Sequence, residues 1–247
     1  MVIAVAGKGG VGKSTLAALI VRYLVEQRHT PVLAVDADPN STLGDKLGLK
    51  VDCAVGDIRE DALQNKYTAP AGVPKQRAIE YQLEQIVVEG SGFDLVEMGR
   101  GEGPGCYCSI NNMLRTFLQE LSSSYKNIVV DNEAGLEHLS RLTTEKVDLM
   151  LVVSDPTPTS LQAARRIAKL TEELGVVRGQ IGLLVNRDDG SFTDERALES
   201  TGLKLFGCIP EDKLVKDFEM HGSPLFGLTA ESEAVKKIGQ ILRGLNF

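Results

Sequence analysis

Apolar residues along this chain fall into two alternating patterns. Short unbroken runs, of the kind buried on both faces of a parallel sheet, are Val2-Ile3-Ala4-Val5-Ala6, Val32 to Val35, Ile128-Val129-Val130 and Leu149 to Val153. Between them lie stretches whose apolar positions recur every three or four residues. From Ser14 to Arg28, residues Leu16, Leu19, Ile20, Tyr23 and Leu24 share one helical face. The stretches 159–174 and 230–247 repeat the helical pattern, and 181–185 and 203–209 return to the strand pattern. The alternation predicts an α/β fold with a doubly wound, mainly parallel sheet and helices on both faces. Such sheets bind ligands at the carboxyl ends of their strands. The stretch 52–105 is less regular, broken by Pro70, Pro74 and Pro104 and by glycines between 90 and 105. A helix near 78–88 and a short strand from Phe93 to Met98 are expected inside it. It reads as an insertion in a single domain spanning 1–247. A helix over 109–121 follows, with Ser109 as its N-cap.

Composition narrows the class. The 247 residues are 43% hydrophobic and 25% charged, as in a soluble globular protein. Lys and Arg number 27 against 34 Asp and Glu, a net charge of −7. That balance disfavours broad electrostatic contact with nucleic acid or anionic lipid, so neither is expected as a partner. Charges interrupt every apolar run before it could span a membrane. The N-terminal apolar run lacks a basic leader and a small-residue cleavage site, so it is not a signal peptide, and a cytoplasmic protein is expected. The four cysteines then read as buried thiols or metal ligands rather than disulfides. Cys53 and Cys208 lie in apolar surroundings and are expected to be buried.

The first strand runs into Gly7-Lys8-Gly9-Gly10-Val11-Gly12-Lys13-Ser14-Thr15, which fits the phosphate-loop pattern with a strand before it and a helix after it. Glycines let successive backbone N–H groups turn inward as an anion nest at a helix N-terminus. Lys13 is expected to reach the β- and γ-phosphates, and the Ser14 hydroxyl to ligate Mg²⁺. Lys8 is a second lysine, early in the loop. Asp36-Ala37-Asp38-Pro39-Asn40 follows the second strand, a sequence that by itself also suits a turn and helix cap. Ile128-Val129-Val130-Asp131 ends a strand in a carboxylate.

With both lysines, the loop resembles the deviant Walker A of the MinD, ParA and nitrogenase iron protein family, and the resemblance covers nearly the whole chain. It implies ATP and ADP as ligands. It implies a nucleotide-sandwich homodimer in which Lys8 contacts phosphates across the interface. Asp38 becomes the residue that orients or deprotonates the attacking water, with Lys8 and Lys13 beside it in catalysis. Ser14, Asp36 and Asp131 become the magnesium residues. Leu184-Val185-Asn186-Arg187 resembles the strand end whose Asn pairs with adenine, and Gly207-Cys208-Ile209-Pro210 the loop lining the base pocket. Asn132-Glu133-Ala134-Gly135 would be switch II, with Glu133 where the broad family commonly has proline.

A last motif lies before the helix expected at 109–121. Cys106-Tyr107-Cys108 offers two soft thiolates, suited to Zn²⁺, Ni²⁺, Cu(I) or an iron–sulfur cluster. Two ligands are half a usual structural zinc site, but a two-fold dimer supplies four. The flanks, Met98-Gly99-Arg100 through Gly-Pro-Gly-Cys-Tyr-Cys and then Asn111-Asn112, resemble the CooC-type nickel-maturation branch of the same family. So does Asp131 through Leu139 at switch II. Gly101 departs from that branch, where proline would be expected. The resemblance implies an ATPase that inserts Ni²⁺, or carries Zn²⁺ at the same dimer site. Its client would be carbon monoxide dehydrogenase or acetyl-CoA synthase. The alternative is a MinD- or ParA-like spatial-organisation ATPase, in which the cysteine pair has no evident role. An electron-transfer ATPase like the nitrogenase iron protein would need cysteines from two separated loops, whereas here both sit in one.

Overall fold

A computed structural model describes residues 1–64, 74–99, 108–132, 147–190, 192 and 195–247. The chain starts with β1 (Val2–Gly7), α1 (Lys13–Glu26) and β2 (Val32–Ala37). Helices α2 (Leu43–Leu47), α3 (Val55–Leu63) and α4 (Lys75–Glu84) follow, then β3 (Val88–Glu89) and β4 (Phe93–Glu97). Next come α5 (Cys108–Ser123), β5 (Asn127–Asn132), β6 (Val147–Ser154), α6 (Pro158–Leu174), β7 (Val177–Asp188) and α7 (Glu195–Thr201). The chain closes with β8 (Lys204–Pro210), α8 (Lys213–Met220) and α9 (Glu233–Gly244).

Among the described residues, eight strands form one sheet in the order β3-β4-β2-β5-β1-β6-β7-β8. Every ladder is parallel except the short β3–β4 pair at the edge. Strand β1 lies between β5 and β6, so the chain leaves the centre first toward β2 and later toward β8. A loop leaving β1 therefore opens at the point where strand order reverses, the usual place for a ligand.

The two-residue period of β1 divides the core. Val2, Ala4 and Ala6 join one hydrophobic cluster with residues of α3, α4, α5 and α6, including Ile58, Leu83, Leu118 and Leu161. Ile3 and Val5 join the other, with Leu16, Ile20 and Leu24 of α1 and Ile238 and Leu242 of α9. The helices of the irregular stretch thus pack on the same sheet as the rest. Helix α9 spends its apolar face on the core, since Ala234, Ile238 and Leu242 are all buried. No described helix is long and apolar enough to cross a membrane.

Several expectations need adjusting. The helix expected near 78–88 starts at Lys75 and ends at Glu84, and Val88–Glu89 is a strand. The strand expected at 181–185 is longer, Val177–Asp188. Cys53 is exposed, not buried, on the connection between α2 and α3. Cys208 is only half-buried on the edge strand β8.

Candidate functional site

Strand β1 delivers Gly7 to the carboxyl edge of the sheet, beside Val153 of β6. A Cβ at Gly7 would press into the Val153 carbonyl oxygen, so glycine is required for the turn. Gly12 caps α1 at φ +92°, and a Cβ there would meet Asn186 Nδ2 at 2.5 Å. These constraints fold 7–14 back over the N-terminus of α1, where unpaired N–H groups and the helix dipole favour an anion. Lys13 is buried at 6% exposure and lies along the loop, its Nζ donating to the Lys8 carbonyl oxygen at 3.4 Å. Lys8 is exposed.

Three acidic residues end neighbouring strands in register. Asp36 of β2 pairs with Asp131 of β5 on one side and Glu97 of β4 on the other. Asp36 spends both oxygens on the loop after β2. Its Oδ1 accepts from Asp38 N at 3.0 Å and its Oδ2 from Leu43 N at 2.8 Å. Burial pushes its pKa up to about 6 against those hydrogen bonds. Asp131 is fully buried, and no hydrogen bond of ordinary geometry reaches either oxygen, although the Ser14 hydroxyl lies close enough to favour its charged form. Burial raises its pKa to about 7, with Asp36 and Asp38 adding to the rise and Ser14 and Lys13 pulling back. An orphaned buried carboxylate next to Ser14 and Lys13 is the arrangement a cation would complete. Among the described residues no group of three or more His, Cys, Asp or Glu could hold a metal ion.

The loop between β2 and α2 lies against the nest. Thr42 Oγ1 donates to Ser14 Oγ at 3.0 Å. Asp38 Oδ1 accepts from Asn40 N at 2.9 Å and from Asn40 Nδ2 at 2.8 Å. Beyond Gly12 and Thr15 a cavity of about 160 Å³ continues from the nest toward Asn186 and Pro210. The two residues expected to hold the base thus line one space with the phosphate loop, although Asn186 Nδ2 also donates to the Val11 carbonyl oxygen at 2.8 Å.

The structure brings Gly7 to Thr15, Asp36, Asp38, Asp131, Asn186 and Pro210 into this one region. Cys106 and the switch II segment from Glu133 onward lie outside the described residues. Cys108 opens α5, and its side chain is likewise outside the description. Sequence reading missed Glu97, which looked like an ordinary strand end. Burial and Asp36 raise its pKa to about 7. It also missed Glu219 of α8, whose Oε1 accepts from both Thr15 Oγ1 and Lys46 Nζ at 2.6 Å. That contact spans 204 positions of sequence, and no local pattern announces it.

Comparison with known proteins agrees with this geometry. Residues 2–225 match the family model described as the CobQ/CobB/MinD/ParA nucleotide binding domain. The chain is 40% identical to an uncharacterized ATP-binding protein of Methanocaldococcus jannaschii, covering 98% of this chain and 96% of that one. It is 32% identical to the carbon monoxide dehydrogenase accessory protein CooC of Rhodospirillum rubrum, covering 93% and 90%. The MinD cell division protein of Aquifex aeolicus superposes with a TM-score of 0.71 at 25% identity, covering 99% and 96%.

Proposed function

This chain belongs to the CobQ/CobB/MinD/ParA nucleotide-binding family, and from that premise we propose that it is a dimerising ATPase of nickel-enzyme maturation. ATP binds with its phosphates in the nest of Gly7 to Thr15 and its base between Asn186 and Pro210. Ser14 and Asp131 hold Mg²⁺, with Asp36 behind them fixing the loop that carries Asp38. When bound, the cation neutralises charge developing on the phosphate oxygens. Asp38 orients the attacking water and takes its proton as the terminal phosphate leaves ADP. Lys13 within the chain, and Lys8 across the dimer, stabilise the charge on the transferring group.

The metal cargo is held by Cys106 and Cys108, two thiolates from each protomer on the two-fold axis. The observation that carries the nickel reading is the similarity to CooC along nine-tenths of both chains. The client is then carbon monoxide dehydrogenase or acetyl-CoA synthase, and the compartment is the cytoplasm. A second reading, a MinD- or ParA-like spatial-organisation ATPase, is favoured by the likeness to MinD. It leaves the cysteine pair without a task. It also gains no membrane anchor from α9, whose apolar face is buried.

Anaerobic titration of Ni²⁺ and Zn²⁺ into metal-free protein, with ADP or ATP present, separates the two readings. The maturation reading expects one metal per two chains, seen by native mass spectrometry and lost in the Cys106→Ala/Cys108→Ala variant. Metal binding that ignores the cysteine changes, or no metal binding, moves the assignment to the second reading.

A further inference from the structure

Strand β7 breaks register with β8 at its tip. Asn186 pairs with Ile209 and Asp188 with Pro210, so Arg187 is an extra residue, a β-bulge. Its φ is +57°, in the left-handed region that long side chains rarely adopt. Such strain persists only where the surroundings over-determine it, and bulges beside sites re-aim side chains. Here the guanidinium lands on the phosphate loop: Arg187 Nη1 donates to the Gly10 carbonyl oxygen at 3.0 Å. Its neighbour Asn186 donates to the next carbonyl, that of Val11, at 2.8 Å.

Two consecutive side chains at the tip of β7 thus hold two consecutive carbonyls of the nest. Each carbonyl shares a rigid peptide plane with the N–H of the following residue. Fixing the Gly10 and Val11 carbonyls therefore fixes the direction of the Val11 and Gly12 N–H groups. In a phosphate nest those N–H groups converge on the anion.

We propose that Arg187 is a positioning residue for phosphate binding. It sets the Gly10–Val11 peptide plane from outside the nest and takes no part in choosing the base. The inference rests on the nucleotide-site reading above. Because Arg187 also lines the cavity beside the nest, contact with the nucleoside is the competing role, and the test must separate the two.

The full-length protein and its Arg187→Ala, Arg187→Gly and Arg187→Lys variants would be titrated calorimetrically. The ligands are ADP, GDP and inorganic tripolyphosphate, each with Mg²⁺. Glycine suits the positive φ, so a loss shared by the Ala and Gly variants reports the guanidinium and not backbone strain. Both are expected to weaken ADP and tripolyphosphate by the same factor, about fivefold to tenfold for a charge-assisted hydrogen bond at an exposed site. The ratio of ADP to GDP affinity stays unchanged, and Arg187→Lys recovers part of the loss. Weakened ADP with unchanged tripolyphosphate, or a shifted ADP to GDP ratio, overturns the proposal by placing Arg187 on the nucleoside. No change in any affinity overturns it as well. Wild-type protein that binds none of the ligands defeats the nucleotide-site reading itself, and this inference with it.

Discussion

Asp131 stands near the end of a buried strand with no hydrogen bond of ordinary geometry to either oxygen, so burying its charge works against the fold. Its pKa is raised from 3.8 to about 7, chiefly by burial. A carboxyl whose folded pKa is raised binds protons more tightly when folded than when unfolded. Its contribution to stability therefore declines as pH rises between those two values and is flat above the higher one. Asp36 and Glu97, its neighbours in the row, are raised to about 6 and about 7 and add to the same decline. Asp131→Asn keeps the shape and removes the buried charge. In urea unfolding without nucleotide it should stabilise the protein by about 1–3 kcal/mol near pH 8 and change little near pH 4. Added Mg²⁺ with ADP should stabilise the wild type and do much less for the variant. A variant less stable than wild type near pH 8 would show that Asp131 has a native partner after all. The carboxylate was legible because an apolar strand ended in Asp131. Glu97 was not, since one acidic residue at a strand end carries no signal until register places it beside Asp36.

Among the elements, α2 is the one that cannot stand alone. Five residues make little more than one helical turn, below the length at which a helix holds itself. It is tied at both ends by side chains from elsewhere. Asp36 receives its first N–H, and Lys46 near its end meets Glu219 of α8, which also takes the Thr15 hydroxyl. Burial raises the Glu219 pKa, but the hydrogen bonds from Lys46 and Thr15 outweigh it, and the net shift is downward. A depressed carboxyl pKa contributes stability above its unfolded value, lost as pH falls through the folded value. Lys46→Ala and Glu219→Ala should each lower hydrogen-exchange protection over residues 43–47. A double-mutant cycle near pH 7 should give a coupling of about 0.5–1 kcal/mol, fading in acid, as for a partly exposed ion pair. Additive effects would mean that α2 is held by Asp36 alone. This also marks what periodicity could reveal. The runs of β1, β2 and β5 and the stripe of α1 were legible because each buries a regular face. Helices α2 and α3 were not, because short helices leave too few turns for a stripe. The phosphate loop was legible as a local motif. Its braces, Arg187 and Glu219, come from strand and helix ends far along the chain and are set by tertiary packing.

At the scale of the molecule, the remaining question is what the exposed Lys8 does. Lys13 is buried along the loop within its own chain, whereas Lys8 stands outside it. Asp155, at the end of β6, feels the charge of Lys8. Burial raises the Asp155 pKa, but hydrogen bonds from Thr157 and Ser160, together with Lys8, hold it below the usual carboxylate range. Lys8 is thus near an acid of its own chain. A nucleotide triphosphate presented by a second copy carries more charge than one carboxylate, and on the dimer reading it draws Lys8 across. The Lys8→Ala variant then keeps the nest and Lys13 and loses only the bond between copies. Nucleotide binding by the monomer should fall by no more than about fivefold, since one exposed charge pair contributes about 1 kcal/mol or less. The dimer should weaken far more, because two-fold symmetry removes the contact twice and the pair is shielded from water between copies. Sedimentation velocity with a non-hydrolysable ATP analogue measures the second quantity, and calorimetry the first. If the dimer forms equally well without Lys8, the cross-interface role assigned to Lys8 fails, and the contacts that close the dimer must be sought elsewhere.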